Sequence, residues 1–192
     1  MTQPVFYDIE ASSLHGYPIE IGWAFLDPET SSIKVESILI QPPTNWDIVS
    51  SWDENAENLH FISLAELHSN GHPPEEVARR LNAALCGRLI YSDAPSWDQN
   101  WIGMIFSETK ISQNFTTVNI NAYELIGQSA KDNGRDESEC RAIISKVEQA
   151  FPRTHRAGED ARHLAELYRA MISTACPSNR STNSPVMPVT RL

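Results

Sequence analysis

Residues 6–14 read Phe-Tyr-Asp-Ile-Glu-Ala-Ser-Ser-Leu, an apolar run that gains two acids as it ends. Residues 5–9 are rich in β-branched and aromatic side chains, as buried strands are. Because side chains alternate along a strand, Asp8 and Glu10 project from one face, about 6 to 7 Å apart. Buried carboxylates need compensation, and a divalent cation between them would supply it. A strand that simply ends here would leave both acids in water, so these two residues alone leave a metal site and solvation open.

Length and composition indicate one folded domain. The chain has 192 residues, of which 41% are hydrophobic and 21% are charged. This length suffices for a sizeable core, and the composition does not favour disorder. Residues 177–192 are rich in Ser, Asn and Pro, which is typical of disordered tails. We therefore predict a folded domain over residues 1–175 and a disordered C-terminal tail over residues 176–192.

Two features concern the compartment of the protein. The sequence has no apolar run near the roughly 18 residues that a membrane span needs, and its N-terminus lacks a basic segment followed by a hydrophobic core. Its three cysteines, Cys86, Cys140 and Cys176, are far apart, so neither a disulfide framework nor a thiolate zinc site is indicated. The sequence therefore predicts a cytoplasmic protein without a membrane partner.

The charge balance restricts the kind of nucleic-acid contact that is plausible. The formal net charge is −10 at pH 7. A broad face for long duplex nucleic acid depends on many Lys and Arg contacts to phosphate, which this balance disfavours. A small site that holds a strand end through metal ions is compatible with an acidic chain.

The pattern of apolar residues predicts strands and helices in a mixed order. Strands are predicted at residues 5–9, 19–26, 33–40, 88–91 and 115–120. Helices are predicted at residues 73–85, 97–106, 121–128 and 137–151, with a last helix that ends near residue 172. Residues 41–57 are predicted to form a surface loop, with or without a helical turn, and His68 and His72 are predicted to be loop residues because Asn70-Gly71 lies between them. This order predicts an α/β fold whose mixed five-stranded sheet has helices on both faces and a site at the carboxyl ends of the strands.

Three acid-bearing motifs occur in order along the chain. They are Asp8-Ile9-Glu10, then Asp98 within residues 97–102, Trp-Asp-Gln-Asn-Trp-Ile, and then residues 155–160, His-Arg-Ala-Gly-Glu-Asp. Together they resemble the three motifs of the DEDDh 3'-5' exonucleases, a family that includes proofreading exonuclease subunits, oligoribonucleases and mammalian 3' repair exonucleases. Each acid alone has an ordinary structural explanation, for example a helix first-turn acid at Asp98. The co-occurrence in order favours the resemblance, which covers residues 4–172.

The resemblance implies a fold, an activity and a set of site residues. It implies an RNase H-like three-layer fold and an exonuclease domain over residues 1–175. The acids Asp8, Glu10, Asp98 and Asp160 would hold two divalent metal ions, Mg2+ or Mn2+, which suit carboxylate oxygens. His155 would be the general base for the attacking water, a role that the ordinary histidine pKa of about 6.5 suits. The expected reaction releases nucleoside 5'-monophosphates from the 3' end of single-stranded or frayed DNA or RNA.

Further residues of this chain resemble the nucleotide-lining segments of the family. Ser12 and Leu14 follow the first motif, where the backbone of Ser12 would hold the 3'-OH and Leu14 would wedge against the base. Ile62 lies in His60-Phe61-Ile62-Ser63, which resembles the His-Gly-Ile-Thr stretch of the family, with Phe61 in place of the usual glycine.

The second motif departs from the family pattern. The family commonly has Asn four residues before its Asp, whereas Asp93 stands five residues before Asp98. We assign the metal ligand to Asp98 because the apolar pattern of the following helix aligns on it, and Asp93 is the alternative ligand.

Two other classes of function stay open at this point. A non-catalytic module with the exonuclease fold would bind nucleic-acid ends or protein. An RNase H-like endonuclease, or a metal phosphodiesterase acting on small nucleotides, would share the metals without necessarily sharing the His155 motif. The sequence also leaves open whether the chain forms a homodimer.

Overall fold

A five-stranded sheet lies at the centre of the computed structural model, which describes residues 3–173. The strands are β1 (Val5–Ala11), β2 (Pro18–Leu26), β3 (Ile33–Leu39), β4 (Leu89–Tyr91) and β5 (Thr116–Thr117). β1 pairs antiparallel with β2, and β2 with β3. On the other side β1 pairs parallel with β4, and β4 with β5, giving the order β3-β2-β1-β4-β5. The predicted mixed sheet is confirmed, although β5 is much shorter than the predicted range 115–120.

Helices flank the sheet on both faces, as predicted. They are α1 (Glu54–His60), α2 (Leu64–Asn70), α3 (Pro74–Leu85), α4 (Pro95–Ser107), α5 (Ala122–Asp132), α6 (Glu137–Ala150) and α7 (Ala157–Ile172).

The two short helices α1 and α2 correct the sequence prediction. Helix α1 begins at the end of the predicted loop over residues 41–57 and extends beyond it to His60, so it is longer than the helical turn that the prediction allowed. The prediction of a loop at His68 is wrong, because His68 lies within α2. Each helix begins at a side-chain cap, because Asp53 accepts a hydrogen bond from the N–H of Asn55 and Ser63 accepts one from the N–H of Glu66. Helices of two turns have too little apolar periodicity to be recognised, so their caps are the only local signal.

Alternation along β1 decides which side chains face which helices. Val5, Tyr7 and Ile9 pack with residues of α3 and α4 on one face of the sheet. Phe6 packs on the opposite face, with residues of α5, α6 and α7. Asp8 and Glu10 follow Phe6 at intervals of two residues, so they share its face. Both carboxylates therefore project toward the side that α7 covers, as the alternation predicts.

The start of α7 lies directly against the backbone of β2. A Cβ atom placed on Gly22 would be 2.2 Å from the backbone nitrogen of Gly158, so only glycine permits this approach. This close contact fixes the beginning of α7, and with it Asp160, beside the carboxyl end of β1.

Two further predictions concern membrane-spanning helices and the C-terminal tail. No helix within residues 3–173 is both long and apolar enough to cross a membrane. The predicted disordered tail, residues 176–192, lies outside the described residues together with Cys176, and it stays a prediction.

Candidate active site

A cleft of about 280 Å³ lies where β1 and β4 end and where α4 and α7 begin. The residues that line it are Asp8, Ile9, Glu10, Leu14, Asp93, Ala94, Trp97, Asp98, Trp101, Arg153, His155 and Asp160. The five residues that the motifs assign to metal binding and catalysis are all in this set. Residues from three distant parts of the chain thus meet in one cleft.

The acids of the cleft form two groups with the spacing of metal ligands. In one group, ligand atoms of Asp8, Asp93 and Asp98 all lie within 4.8 Å of one another. In the other group, ligand atoms of Glu10, His155 and Asp160 meet the same limit. Oxygen-rich groups of this kind suit hard divalent cations.

Burial makes the ionised form of these acids unfavourable. Burial raises the pKa of Asp98 to about 8, although a hydrogen bond from the Ser92 hydroxyl opposes the shift. Burial, followed by the charge of Asp160, raises the pKa of Glu10 to about 7. The pKa of Asp8 is also well above its ordinary value, because of burial and then the charge of Asp98. Cations would relieve this repulsion, so the residues present fit divalent metal ions.

The turn after β4 holds Asp98 in place. The hydroxyl of Ser92 donates to Asp98, and it accepts a hydrogen bond of 2.8 Å from the N–H of Ala94. Pro95 stands in the first turn of α4 without an N–H to satisfy, and Asp98 follows within the same turn, where its charge suits the helix dipole. Both alternatives of the second motif reach the cleft, but Asp98 is the more deeply buried of the two.

Asp93 has a different partner from Asp98. Its carboxylate is paired with the guanidinium of Arg153. The same guanidinium lies 3.3 Å from Asp160, through Nε, and 3.9 Å from Asp8, through Nη2. The positively charged side chain of Arg153 therefore lies within the acidic cluster.

His155 lies on the loop between α6 and α7, at the mouth of the cleft. Its φ is +54°, a conformation that a residue with a side chain rarely adopts. Next to it, the N–H of Thr154 donates to Asp160 at 2.8 Å, which ties the loop to the start of α7. Strained backbone of this kind is most often found at functional sites.

The three nucleotide-contacting residues that the resemblance implies occupy different positions. Leu14 lines the cleft, with 60% of its surface exposed. Ser12 is fully buried, its N–H donates to the carbonyl of Tyr17 and its carbonyl accepts from the N–H of Asp53, both at 2.9 Å. Ile62 is fully buried in the apolar cluster beside α2. Ser12 and Ile62 thus lie behind the cleft, and of the three only Leu14 is on its surface.

Phe61 has a backbone conformation that glycine adopts more readily than other residues. It ends α1 with φ +56°, in the left-handed region, and its ring is largely exposed. This conformation carries some conformational cost for a residue with a side chain.

Comparison with solved structures identifies the fold. No protein-family model and no curated protein matches the sequence significantly. E. coli exonuclease I in complex with a dA16 oligonucleotide superposes with a TM-score of 0.64 and 13% identity, over 91% of this chain and 41% of that chain. Its zinc-bound complex with single-stranded DNA gives a TM-score of 0.54 and 14% identity, over 89% of this chain and 39% of that chain. The fold is RNase H-like. The predicted fold class is therefore confirmed, and the chain spans about two fifths of exonuclease I.

A smaller protein shares the RNase H-like fold over nearly its whole length. Exonuclease X in complex with 5' overhanging duplex DNA has a TM-score of 0.52 and 16% identity, over 90% of this chain and 92% of that chain. At these identities the likeness concerns the fold, and the chemistry depends on the side chains of the cleft.

Two cleft residues of this RNase H-like chain escaped sequence reasoning. Trp97 falls on the apolar face that helical spacing indicates for α4, but 38% of its surface is exposed and it lines the cleft beside His15. Arg153 had no assigned role. Its position two residues before His155 was the one available signal, since a basic residue there has to lie near the acids that the third motif brings.

Proposed function

We propose that the protein is a metal-dependent 3'-5' exonuclease that releases nucleoside 5'-monophosphates from single-stranded or frayed nucleic-acid ends. The observation that carries the proposal is the meeting of Asp8, Glu10, Asp98, His155 and Asp160 in one cleft. The fold adds support, because it is shared with exonucleases crystallised with DNA. A binding module has no need of five such residues in one place, so the catalytic alternative is favoured.

The carboxylates provide for two divalent ions, Mg2+ or Mn2+. Asp8 and Asp98, which share one group with Asp93, would hold one ion, and Glu10 and Asp160 of the other group would complete the second position with the remaining oxygens. Two such ions supply charge stabilisation for both the attacking and the leaving oxygen of a phosphoryl transfer. The zinc-bound form of exonuclease I complexed with DNA is in line with a metal in a cleft of this fold.

His155 would take the proton of the attacking water. Its ring nitrogen lies within 4.8 Å of carboxylate oxygens of Glu10 and Asp160, and the side chain is exposed at the cleft mouth, where water and substrate enter. A base in that position must reach the water within hydrogen-bond distance, and the exposed ring is free to do so.

Apolar side chains on the cleft wall would hold the terminal base. Leu14 and Trp97 line the cleft and are both exposed. An indole stacks on any base, and such stacking depends little on sequence. The carboxylates and His155 would then meet the last phosphodiester bond while these two side chains hold the end.

A ladder assay tests the proposal. Purified protein with Mn2+ is given DNA and RNA oligonucleotides of matched sequence, labelled at the 5' end or at the 3' end. We expect a descending ladder from the 5' label and immediate release of a labelled mononucleotide from the 3' label. Intact linear substrate in the presence of folded protein and Mn2+ would refute an exonuclease. Cleavage of a circular single strand would indicate an endonuclease instead.

A further inference from the structure

Arg153 is the only Lys or Arg among the described residues that line the cleft. Five carboxylates line the cleft with it, those of Asp8, Glu10, Asp93, Asp98 and Asp160. The four carboxylates of the metal motifs carry four negative charges, which two divalent ions balance. Asp93 is a fifth acid, and the guanidinium of Arg153 is a matching positive charge. The charges of the cleft thus divide into two parts. The metal set is Asp8, Glu10, Asp98 and Asp160, whose charges two ions balance, and the additional ion pair is Asp93 with Arg153.

The contacts of Arg153 divide in the same way. Its Nη1 is paired with Asp93, whereas its Nε lies 3.3 Å from Asp160 and its Nη2 lies 3.9 Å from Asp8. The tight contact is with the acid outside the metal set, and the two longer contacts are with acids of the metal set. Ions that take up Asp8 and Asp160 would leave Arg153 attached to Asp93 with other N–H donors free.

Asp93 is itself held by the protein. The side-chain amide of Asn121 donates to the carbonyl of Asp93, and the N–H of Ala122 donates to the carbonyl of Ser92 at 2.8 Å. The start of α5 therefore fixes the turn that carries Asp93. The side chain of Arg153 is 40% exposed, so its free donors face the cleft rather than the core.

We propose that Arg153 binds the phosphate of the terminal nucleotide and that Asp93 is the residue that positions Arg153, rather than a metal ligand. A guanidinium presents planar N–H donors that match phosphate oxygens, and it keeps its charge at any working pH. The carboxylate of Asp93 accepts from one side of this group and directs the other side toward the cleft. The role of Arg153 in catalysis rests on the proposed exonuclease function, whereas its binding of phosphate does not.

Binding measurements test the assignment without relying on turnover. Affinity for a nucleoside 5'-monophosphate and for the matching nucleoside is measured by calorimetry, in wild type, Arg153→Met, Arg153→Lys and Asp93→Asn. Arg141→Met is the matched control, because this arginine is 73% exposed on α6, outside the cleft. We expect Arg153→Met to weaken the monophosphate about 10- to 100-fold and to leave the nucleoside unchanged. The monophosphate affinity of Arg153→Lys should lie between those of wild type and Arg153→Met, because an ammonium keeps the charge but lacks the planar arrangement of N–H donors. Equal monophosphate affinity in wild type and Arg153→Met would overturn the proposal.

Metal affinity separates Asp93 from the metal ligands. Mn2+ binding is measured by calorimetry for Asp93→Asn, Arg153→Met and Asp98→Asn, each checked for a folded circular dichroism spectrum. Asp98→Asn should lose Mn2+ affinity by 10-fold or more, whereas the other two should bind Mn2+ as tightly as wild type or more tightly. A loss in Asp93→Asn equal to that in Asp98→Asn would make Asp93 a ligand and would overturn its positioning role.

Chemical rescue provides a readout that a merely structural role would not give. In Arg153→Ala, addition of millimolar guanidinium should restore part of the monophosphate affinity and part of kcat/KM, while urea at the same concentration restores neither. Asp93→Asn should lower kcat/KM about 10-fold and should gain little from guanidinium, because its own arginine is still present. If the wild type has no nuclease activity but monophosphate binding follows the expected order, the phosphate site stands and the exonuclease function fails. If nuclease activity is present and Arg153→Met is fully active, the exonuclease function stands and the assignment of Arg153 fails.

Discussion

Arg156 and Glu20 form a two-point ion pair that joins the start of α7 to β2. The guanidinium donates from Nε at 3.0 Å and from Nη2 at 2.9 Å to the two carboxylate oxygens. The N–H of Ala157 donates to the same carboxylate at 3.0 Å, and only 2% of Glu20 is exposed. Glu20 also lies opposite Glu10 in the ladder between β1 and β2. This pair therefore sets the distance between the first motif on β1 and the third motif on α7.

Replacing Glu20 by Gln should lower both stability and metal affinity. The substitution removes charge-assisted hydrogen bonds to Arg156 and Ala157 and should cost about 2 to 3 kcal/mol of unfolding free energy, measured by urea titration. Mn2+ affinity should also fall, because Asp160 lies near the start of α7. Glu159→Gln is the control, since Glu159 is 52% exposed in its pair with Arg162 and should change stability by less than about 1 kcal/mol. Equal stability of the two variants would contradict the anchoring role of Glu20.

The metal-free protein should lose stability as the pH rises from 6.5 to 8.5. Burial raises the pKa of Asp98 to about 8, far above its value in the unfolded chain. The folded protein therefore holds a proton that the unfolded chain has already lost, so the unfolding free energy falls until the pH passes the folded-state pKa. Burial lowers the pKa of His60, so the unfolded chain still loses a proton there just above pH 6.5, which raises the unfolding free energy and opposes the trend only in the lowest part of this range.

Urea unfolding in the presence of a chelator measures this dependence. Asp98→Asn should show a flatter profile than wild type over the same range, because Asn does not titrate. Saturating Mn2+ should raise the melting temperature more at pH 8.5 than at pH 6.5, since the metal competes with protons for the carboxylates. A stability that increases with pH in the chelated wild type would contradict the raised pKa of Asp98.

His155 and Asp8 should give different defects when replaced. His155→Ala should slow turnover roughly 10²- to 10⁴-fold, because it removes the proposed base while leaving four carboxylates for the metals. Asp8→Asn should weaken Mn2+ binding itself, because Asp8 is a buried member of the acidic group. Calorimetry with Mn2+ and single-turnover kinetics at saturating Mn2+ separate the two effects. Equal loss of metal affinity in both variants would contradict the division of roles.

The sequence predicts the strands of the sheet and the face from which the acids of β1 project, because both depend on local patterns. Alternation on β1 places Asp8 and Glu10 on one face, and the order of elements places the ends of β1 and β4 side by side. Residues whose role depends on distant neighbours were not predictable in this way. Trp97 and Ile144 carry apolar side chains at helical spacing, which favours the core, yet the structure leaves 38% and 36% of their surfaces exposed.

Arg153 shows a second limit of local reasoning. It lies in a loop, where no periodicity applies, and its partner Asp93 is 60 residues away along the chain. Only the packing of α5 and α7 on the same face of the sheet brings these two residues together. The contact of the Ser12 backbone with the 3'-OH, which the family resemblance implies, stays a prediction, and the structure shows that Ser12 is buried.

Salt should affect the proposed exonuclease activity less than it affects most nucleic-acid-binding proteins. The net charge of the chain is −10, and of the described residues that line the cleft only Arg153 is a Lys or Arg. For single strands the logarithm of the affinity falls by about 0.7 per phosphate contact for each unit of log salt concentration. One such contact predicts a slope of about −1 or shallower when the logarithm of kcat/KM is plotted against the logarithm of the KCl concentration at fixed Mn2+. This slope should be nearly independent of oligonucleotide length. Arg153→Met should reduce the slope toward zero, with Arg141→Met unchanged. A slope steeper than about −3 would require a basic track along the strand, which the described surface of the cleft does not provide.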